Sequence, residues 1–126
     1  MIEYTVKVYH NGSTHWCIND DLHREGDKPA VEYASGDKAW YLNGDLHREG
    51  DKPAIEYASG AKSWYINGKC HRENGAAVIY ANGTKEWYLN GEHLTEEEHA
   101  ARTQPTKELT VADIEKLLGH KVKVIK

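Results

Sequence analysis

The sequence predicts a mainly β protein: an antiparallel meander of β-hairpin repeats, closed by a small C-terminal helical tail and a short last strand. Three observations carry this. A unit of 23 to 24 residues recurs about four times over residues 1 to 92, glycine-containing turn dipeptides punctuate each unit twice, and β-branched and aromatic residues fill the stretches between turns. The pattern Tyr-x2-Gly-x3-Trp-x2-Asn is read at Tyr9, Gly12, Trp16 and Asn19, then from Tyr33, Tyr57 and Tyr80, and its tryptophans (Trp16, Trp40, Trp64, Trp87) lie 24, 24 and 23 residues apart.

Within a unit, Ser35-Gly36, Ser59-Gly60 and Asn82-Gly83 follow the tyrosine strand, and Asn43-Gly44, Asn67-Gly68 and Asn90-Gly91 follow the tryptophan strand. Both dipeptides tolerate the positive φ that tight hairpins need. With about two strands per unit, the body is expected to hold about eight strands. Alternation puts Trp40 and Leu42 on one face of their strand and Ala39 and Tyr41 on the other, so both faces carry aromatics and one needs a cover. Residues 93 to 126 are the remaining material. Thr95 with Glu98 and Thr110 with Asp113 read as N-caps with an acid three residues on, opening helices near 96 to 102 and 111 to 118; Gln104-Pro105-Thr106 links them. Gly119 ends the second helix, and residues 121 to 126 read as an edge strand.

Charge and composition exclude several classes. Sixteen basic against 20 acidic residues give a formal net charge of -4, so polymeric nucleic acid is not an expected partner and neither is an anionic bilayer. No apolar run approaches the roughly 20 residues of a membrane span. The Met-Ile-Glu-Tyr start lacks a basic segment followed by an apolar one, so a cytoplasmic protein is expected. Cys17 and Cys70 are too few for a disulfide framework, suit a reducing compartment, and stand where other units carry Tyr41 and Leu46, as packing substitutions.

The motif Trp-Tyr-x-Asn-Gly-x-x-His-Arg-Glu, followed by Pro-Ala-x-Glu-Tyr, resembles the MORN-like repeat variants of phage and bacterial proteins, and the tail from Glu108 to Lys126 looks like the helix-strand ending such phage proteins carry. The resemblance spans nearly the whole chain. It implies a hairpin ladder that binds a partner and no single activity.

Three His-Arg pairs, His23-Arg24, His47-Arg48 and His71-Arg72, follow the first three tryptophans, while the fourth unit has Leu94-Thr95 and reads as a cap. A catalytic site is normally singular, so a feature repeated three times points to structure or to a repeated binding surface, and no enzyme activity is expected. The arginines can pair with Glu32 or Glu56 across the ladder; Ile79 stands at that position in the third unit, which singles out Arg72 as the one to face a ligand. The histidines sit on equivalent strands roughly 10 Å apart, too far to converge on a metal at about 2.0 to 2.1 Å, and no metal or other cofactor is expected.

The tryptophan row is expected to be core beneath the tail helices. Tyr41, Tyr65 and Tyr88, with Ala39 and Arg48, then line the open face, the leading partner site because tyrosine and arginine are favoured at protein interfaces. Glu96, Glu97 and Glu98 are expected to complement the helix dipole, the alternative being mimicry of nucleic acid together with Asp20 and Asp21. The expectation is a non-enzymatic protein-interaction module. By the resemblance to phage repeat proteins, it is a small phage accessory protein that binds and inhibits a host protein in the bacterial cytoplasm, a defence component such as a CRISPR effector. The alternatives are sequestration of a small anionic nucleotide between His-Arg pairs, with the sites on His23, His47, His71, Arg24, Arg48 and Arg72, and a purely structural repeat. The open edges also admit a homodimer through the sheet edge or the aromatic face, and the sequence leaves the oligomeric state open.

Overall fold

The computed structural model describes residues 2–104. The expected second helix at 111 to 118, Gly119, the strand at 121 to 126 and most of the 104 to 106 linker lie outside the described residues. Among the described residues fourteen strands and one helix follow in chain order. The strands are β1 (Thr5–Val8), β2 (Thr14–Ile18), β3 (Asp21–Leu22), β4 (Val31–Glu32), β5 (Lys38–Ala39), β6 (Tyr41–Leu42) and β7 (Asp45–Leu46), then β8 (Ile55–Glu56), β9 (Lys62–Ser63), β10 (Tyr65–Ile66), β11 (Lys69–Cys70), β12 (Val78–Ile79), β13 (Lys85–Leu89) and β14 (Glu92–Leu94). The helix is α1 (Glu96–Thr103).

The architecture is an open antiparallel meander. One ten-stranded sheet runs β1-β2-β4-β5-β8-β9-β12-β13-β14 with β3 attached to β2, and two separate two-stranded sheets, β6-β7 and β10-β11, stand beside it. Each middle unit therefore holds four short strands where the sequence reading expected two. The tryptophan is the break. Trp40 N–H donates to the Ala54 carbonyl at 2.7 Å on the ladder side, and the Trp40 carbonyl accepts from His47 N–H at 3.0 Å on the hairpin side. The chain thus changes partner strand at each tryptophan, and strict alternation ends there: Ala39 and Trp40 are both buried, as are Ser63 and Trp64.

Directly opposed residues of antiparallel neighbours share a face, so the register sorts the sheet into two. His15, Val31, Ala39, Ile55, Ser63, Val78 and Glu86 form one row. Thr14, Glu32, Lys38, Glu56, Lys62, Ile79 and Lys85 form the next, where acid and base alternate across neighbouring strands. The hairpins turn on Asn43-Gly44 and Asn67-Gly68, each with both residues at positive φ (52° and 85°; 48° and 80°), the geometry whose twist matches the flanking strands. Neighbouring hairpins are tied by Gly68 N–H to the Leu46 carbonyl at 2.8 Å and Arg48 N–H to the Tyr65 carbonyl at 3.3 Å.

The helix begins as its sequence predicts. Thr95 accepts from Glu98 N–H at 3.1 Å while Glu98 accepts from Thr95 N–H at 3.0 Å, a closed capping box. It packs on β13 and β14 at the last repeat, with His99 buried and its Nε2 2.6 Å from the Arg72 carbonyl. The helix thus covers the end of the array; the second helix expected over the tryptophan row lies outside the described residues.

The core is narrow and built on small residues: Ala30, Ala54 and Ala77 are fully buried, each accepting the N–H of a tryptophan in the neighbouring strand segment. A larger side chain there has no room without moving that strand. Ala54→Leu is expected to lower stability by about 1 to 3 kcal/mol, read as a lower urea midpoint with the slope unchanged.

Candidate functional site

The His-Arg segments fold into loops that place the histidine Nδ1 against the next repeat and, for Arg48 and Arg72, the guanidinium against an acid of the preceding one. The imidazole of His47 accepts from Asn67 N–H at Nδ1 (2.9 Å), and its Nε2 meets Glu49 at 2.8 Å. His23 is bonded in the same way to Asn43 N–H and Glu25, and His71 to Asn90 N–H. Because Nδ1 accepts, the network assigns the proton to Nε2. These nitrogens pin the Asn-Gly turn of the following hairpin, and among the described residues no group of three His, Cys, Asp or Glu side chains is placed to hold a metal ion.

Arg48 carries the densest set of contacts. Its guanidinium lies 3.7 Å above the Trp40 ring centroid, bonds Asp27 of the preceding repeat at 2.8 and 3.4 Å, and reaches Glu56 at 2.9 Å and the Pro53 carbonyl at 3.0 Å. Arg72 repeats the arrangement on Trp64 with Asp51 and the Ala76 carbonyl, so the absence of a glutamate at Ile79 leaves it bonded through another acid. Arg24 stacks on Trp16 and pairs with Glu32. The expected pairing with Glu32 and Glu56 is present. Arg48 stacks on Trp40, and among the described residues Arg24, Arg48 and Arg72 lie over the rings of Trp16, Trp40 and Trp64.

Asp27 serves twice, since its carbonyl accepts from the Trp40 indole N–H at 3.2 Å while its carboxylate holds Arg48 and, at 2.7 Å, Lys52. Those two cations hold its carboxyl down at about 2. Asp51 is lowered in the same direction by Arg72. Open space beside this ladder amounts to a cleft of about 360 Å³ next to Trp40, whose walls include Glu25, Asp27 and Glu49 as well as Arg24, Arg48 and Lys52.

The tyrosines gather on the other side. Tyr41, Tyr65 and Tyr88 are half-buried, and Tyr33, Tyr57 and Tyr80 beside them are exposed by 42%, 40% and 43%, so the last three repeats each offer a similar pair of rings, while the first has Cys17 in place of one. A groove of about 500 Å³ between the third and fourth repeats is lined by Tyr57, Tyr65, Tyr80, Tyr88, Cys70 and Glu86. Burial and the neighbouring Glu86 push the Cys70 thiol up to about 11, which keeps it protonated and a poor nucleophile. Tyr80 Oη donates to Glu86 at 2.8 Å, which raises the phenol as well.

The sequence reading named one tyrosine of each pair and missed Tyr33, Tyr57, Tyr80 and Glu86 as parts of the surface. A signal for Glu86 was present, because the residue before tryptophan is His15, Ala39 and Ser63 in the other units. The Tyr33 series gave none, since its exposure depends on where the turn projects. No family model and no curated protein matches the chain.

Two predictions follow from the arginine contacts. Arg48→Ala is expected to cost about 2 kcal/mol and Arg24→Ala, which has no carboxylate from a preceding repeat among the described residues, about 1 kcal/mol, both from urea unfolding. A lowered carboxyl stabilises the folded chain above its ordinary range and loses that contribution as the carboxyl is protonated. Stability is therefore expected to fall as pH drops from about 4 towards about 2, and Asp27→Asn, already weaker at pH 7, should lose less over that window in thermal melts.

Proposed function

We propose that this chain is a non-enzymatic protein-interaction module that docks its tyrosine face on a protein partner. The observation that carries the reading is the paired tyrosine row, Tyr33/Tyr41, Tyr57/Tyr65 and Tyr80/Tyr88, lying along a row of small and apolar residues. Tyrosine supplies large, rigid, amphipathic contact area at little entropic cost, and a row of such rings on a fixed scaffold is what interfaces favour. Repetition along the sheet gives a partner several equivalent anchors. Following its resemblance to MORN-like repeats of phages, the specific proposal is a small phage accessory protein that binds and inhibits a host protein in the bacterial cytoplasm, a defence component such as a CRISPR effector. Among the described residues no helix is long and apolar enough to cross a membrane.

The nucleotide-sequestration reading places its anion between His-Arg pairs. Against it stand the bonds already drawn: Arg48 uses Nε, Nη1 and Nη2 on Asp27, Glu56 and Pro53, and the adjoining cleft carries carboxylates that repel an anion. An incoming phosphate would have to displace these acids.

The test is capture from host lysate with two variants, one with Tyr41, Tyr65 and Tyr88 changed to alanine and one with the more exposed Tyr33, Tyr57 and Tyr80 changed to serine, the second keeping the reading testable if the first unfolds. One stoichiometric host protein, retained by the parent chain and reduced at least tenfold by a folded variant, is the expected outcome. A bound nucleotide with no protein would overturn the reading and move the site to the arginine ladder.

A further inference from the structure

We infer that the groove between the third and fourth repeats is a receptor for a guanidinium group, the side chain of an arginine on the partner protein; this rests on the interaction reading above and names the chemistry of its anchor. Four phenol rings, Tyr57, Tyr65, Tyr80 and Tyr88, line the groove, Glu86 supplies its carboxylate, and neither lysine nor arginine is among the residues around it. Ring faces attract a cation through their quadrupole, and a carboxylate at the edge adds charge-assisted hydrogen bonds.

Glu86 is the feature that breaks the repeat. In register it follows Ser63 and Val78 along the same row, and the residue preceding tryptophan in the other units is His15, Ala39 or Ser63. Among the described residues Glu86 is therefore the one acid in this row; Asp37, on the same face in the second repeat, has its Oδ1 taken up by the Ala58 N–H. At the opposite end His15 occupies the equivalent position, its ring packed 4.6 Å from Tyr9, as Glu86 is bonded to Tyr80. Glu86 Oε2 accepts from Tyr80, and Oε1 has no hydrogen bond among the described residues. That oxygen belongs to a half-buried side chain that lines the groove.

Guanidinium rather than ammonium is assigned because a planar, weakly hydrated cation can stack on a ring while its edge donates to a carboxylate, whereas an ammonium is a compact, strongly hydrated charge. The chain builds that combination three times from its own residues, with Arg24, Arg48 and Arg72 stacked on tryptophan at 3.7 to 3.9 Å and each bonded to an acid. The Glu86 groove holds the rings and the acid without the arginine.

The experiment titrates the full chain, carrying ring-labelled tyrosine, with three blocked tripeptides followed by NMR: acetyl-Gly-Arg-Gly-amide, the same peptide with neutral citrulline, and the same with lysine. The arginine peptide is expected to give saturable shifts at the rings of Tyr57, Tyr65, Tyr80 and Tyr88, with the citrulline peptide at least fivefold weaker. In Glu86→Gln, a near-isosteric change whose ring spectrum reports that the fold is kept, that discrimination should disappear. Equal binding of arginine and citrulline, or no saturable shift at these rings, overturns the inference. Equal binding of the lysine peptide overturns the guanidinium assignment. If the peptides fail while the tyrosine variants still lose a captured host protein, this inference falls and the interface reading stands; if the capture also fails, both fall.

Discussion

An arginine laid flat on a tryptophan, with an acid from the preceding repeat on its edge, is the constraint on which this structure depends. The core of the sheet is thin, because its most buried positions are alanines and two-residue strands cannot enclose much apolar volume. Tryptophan supplies the missing area but leaves a large ring on the surface of the ladder. Arg48 covers that ring, and Asp27 and Glu56 neutralise the charge it brings, so a side chain only 11% exposed is both cover and cross-link. The same set of bonds joins three consecutive units, at Asp27, at Trp40 and at Glu56. Stability in such an array comes from neighbour-to-neighbour contacts of this kind rather than from one central core.

The ends show what the middle requires. At the first tryptophan, Tyr4 packs edge-on against Trp16 at 5.3 Å and accepts from Glu25 N–H. The last repeat has no His-Arg pair, and α1 closes it through the buried His99 against the Arg72 carbonyl. Arg102 on the same helix pairs with Glu92 of β14 at 2.9 Å.

A consequence of this division of labour is that the two sides of the sheet are unequal in what they leave unspent. On the tryptophan side the guanidinium nitrogens of Arg48 and Arg72 and the Nδ1 atoms of His23, His47 and His71 are engaged within the fold. On the tyrosine side half-buried and exposed rings face outward, the apolar row beneath them is small, and one carboxylate keeps an unengaged oxygen.

The chain's periodicity was enough to establish the antiparallel meander, the hairpin turns at Asn43-Gly44 and Asn67-Gly68, the helix starting after Thr95, and the pairing of Arg24 and Arg48 with Glu32 and Glu56, because each rests on neighbours in sequence or on a fixed repeat offset. The doubling of strands at Trp40 and Trp64 was not legible, since it arises when a single residue bonds the ladder with its N–H and the side hairpin with its carbonyl. Nor was the side on which Arg48 lies, because a long side chain is directed by whichever ring and acid lie within reach, and Asp27 comes from 21 residues earlier. The groove at Glu86 belongs to the same category: its four tyrosines come from two repeats and both kinds of turn, and only the register of β9, β12 and β13 brings them around one carboxylate. Local pattern determined the repeat, and long-range packing decided which of its residues were consumed in holding it together.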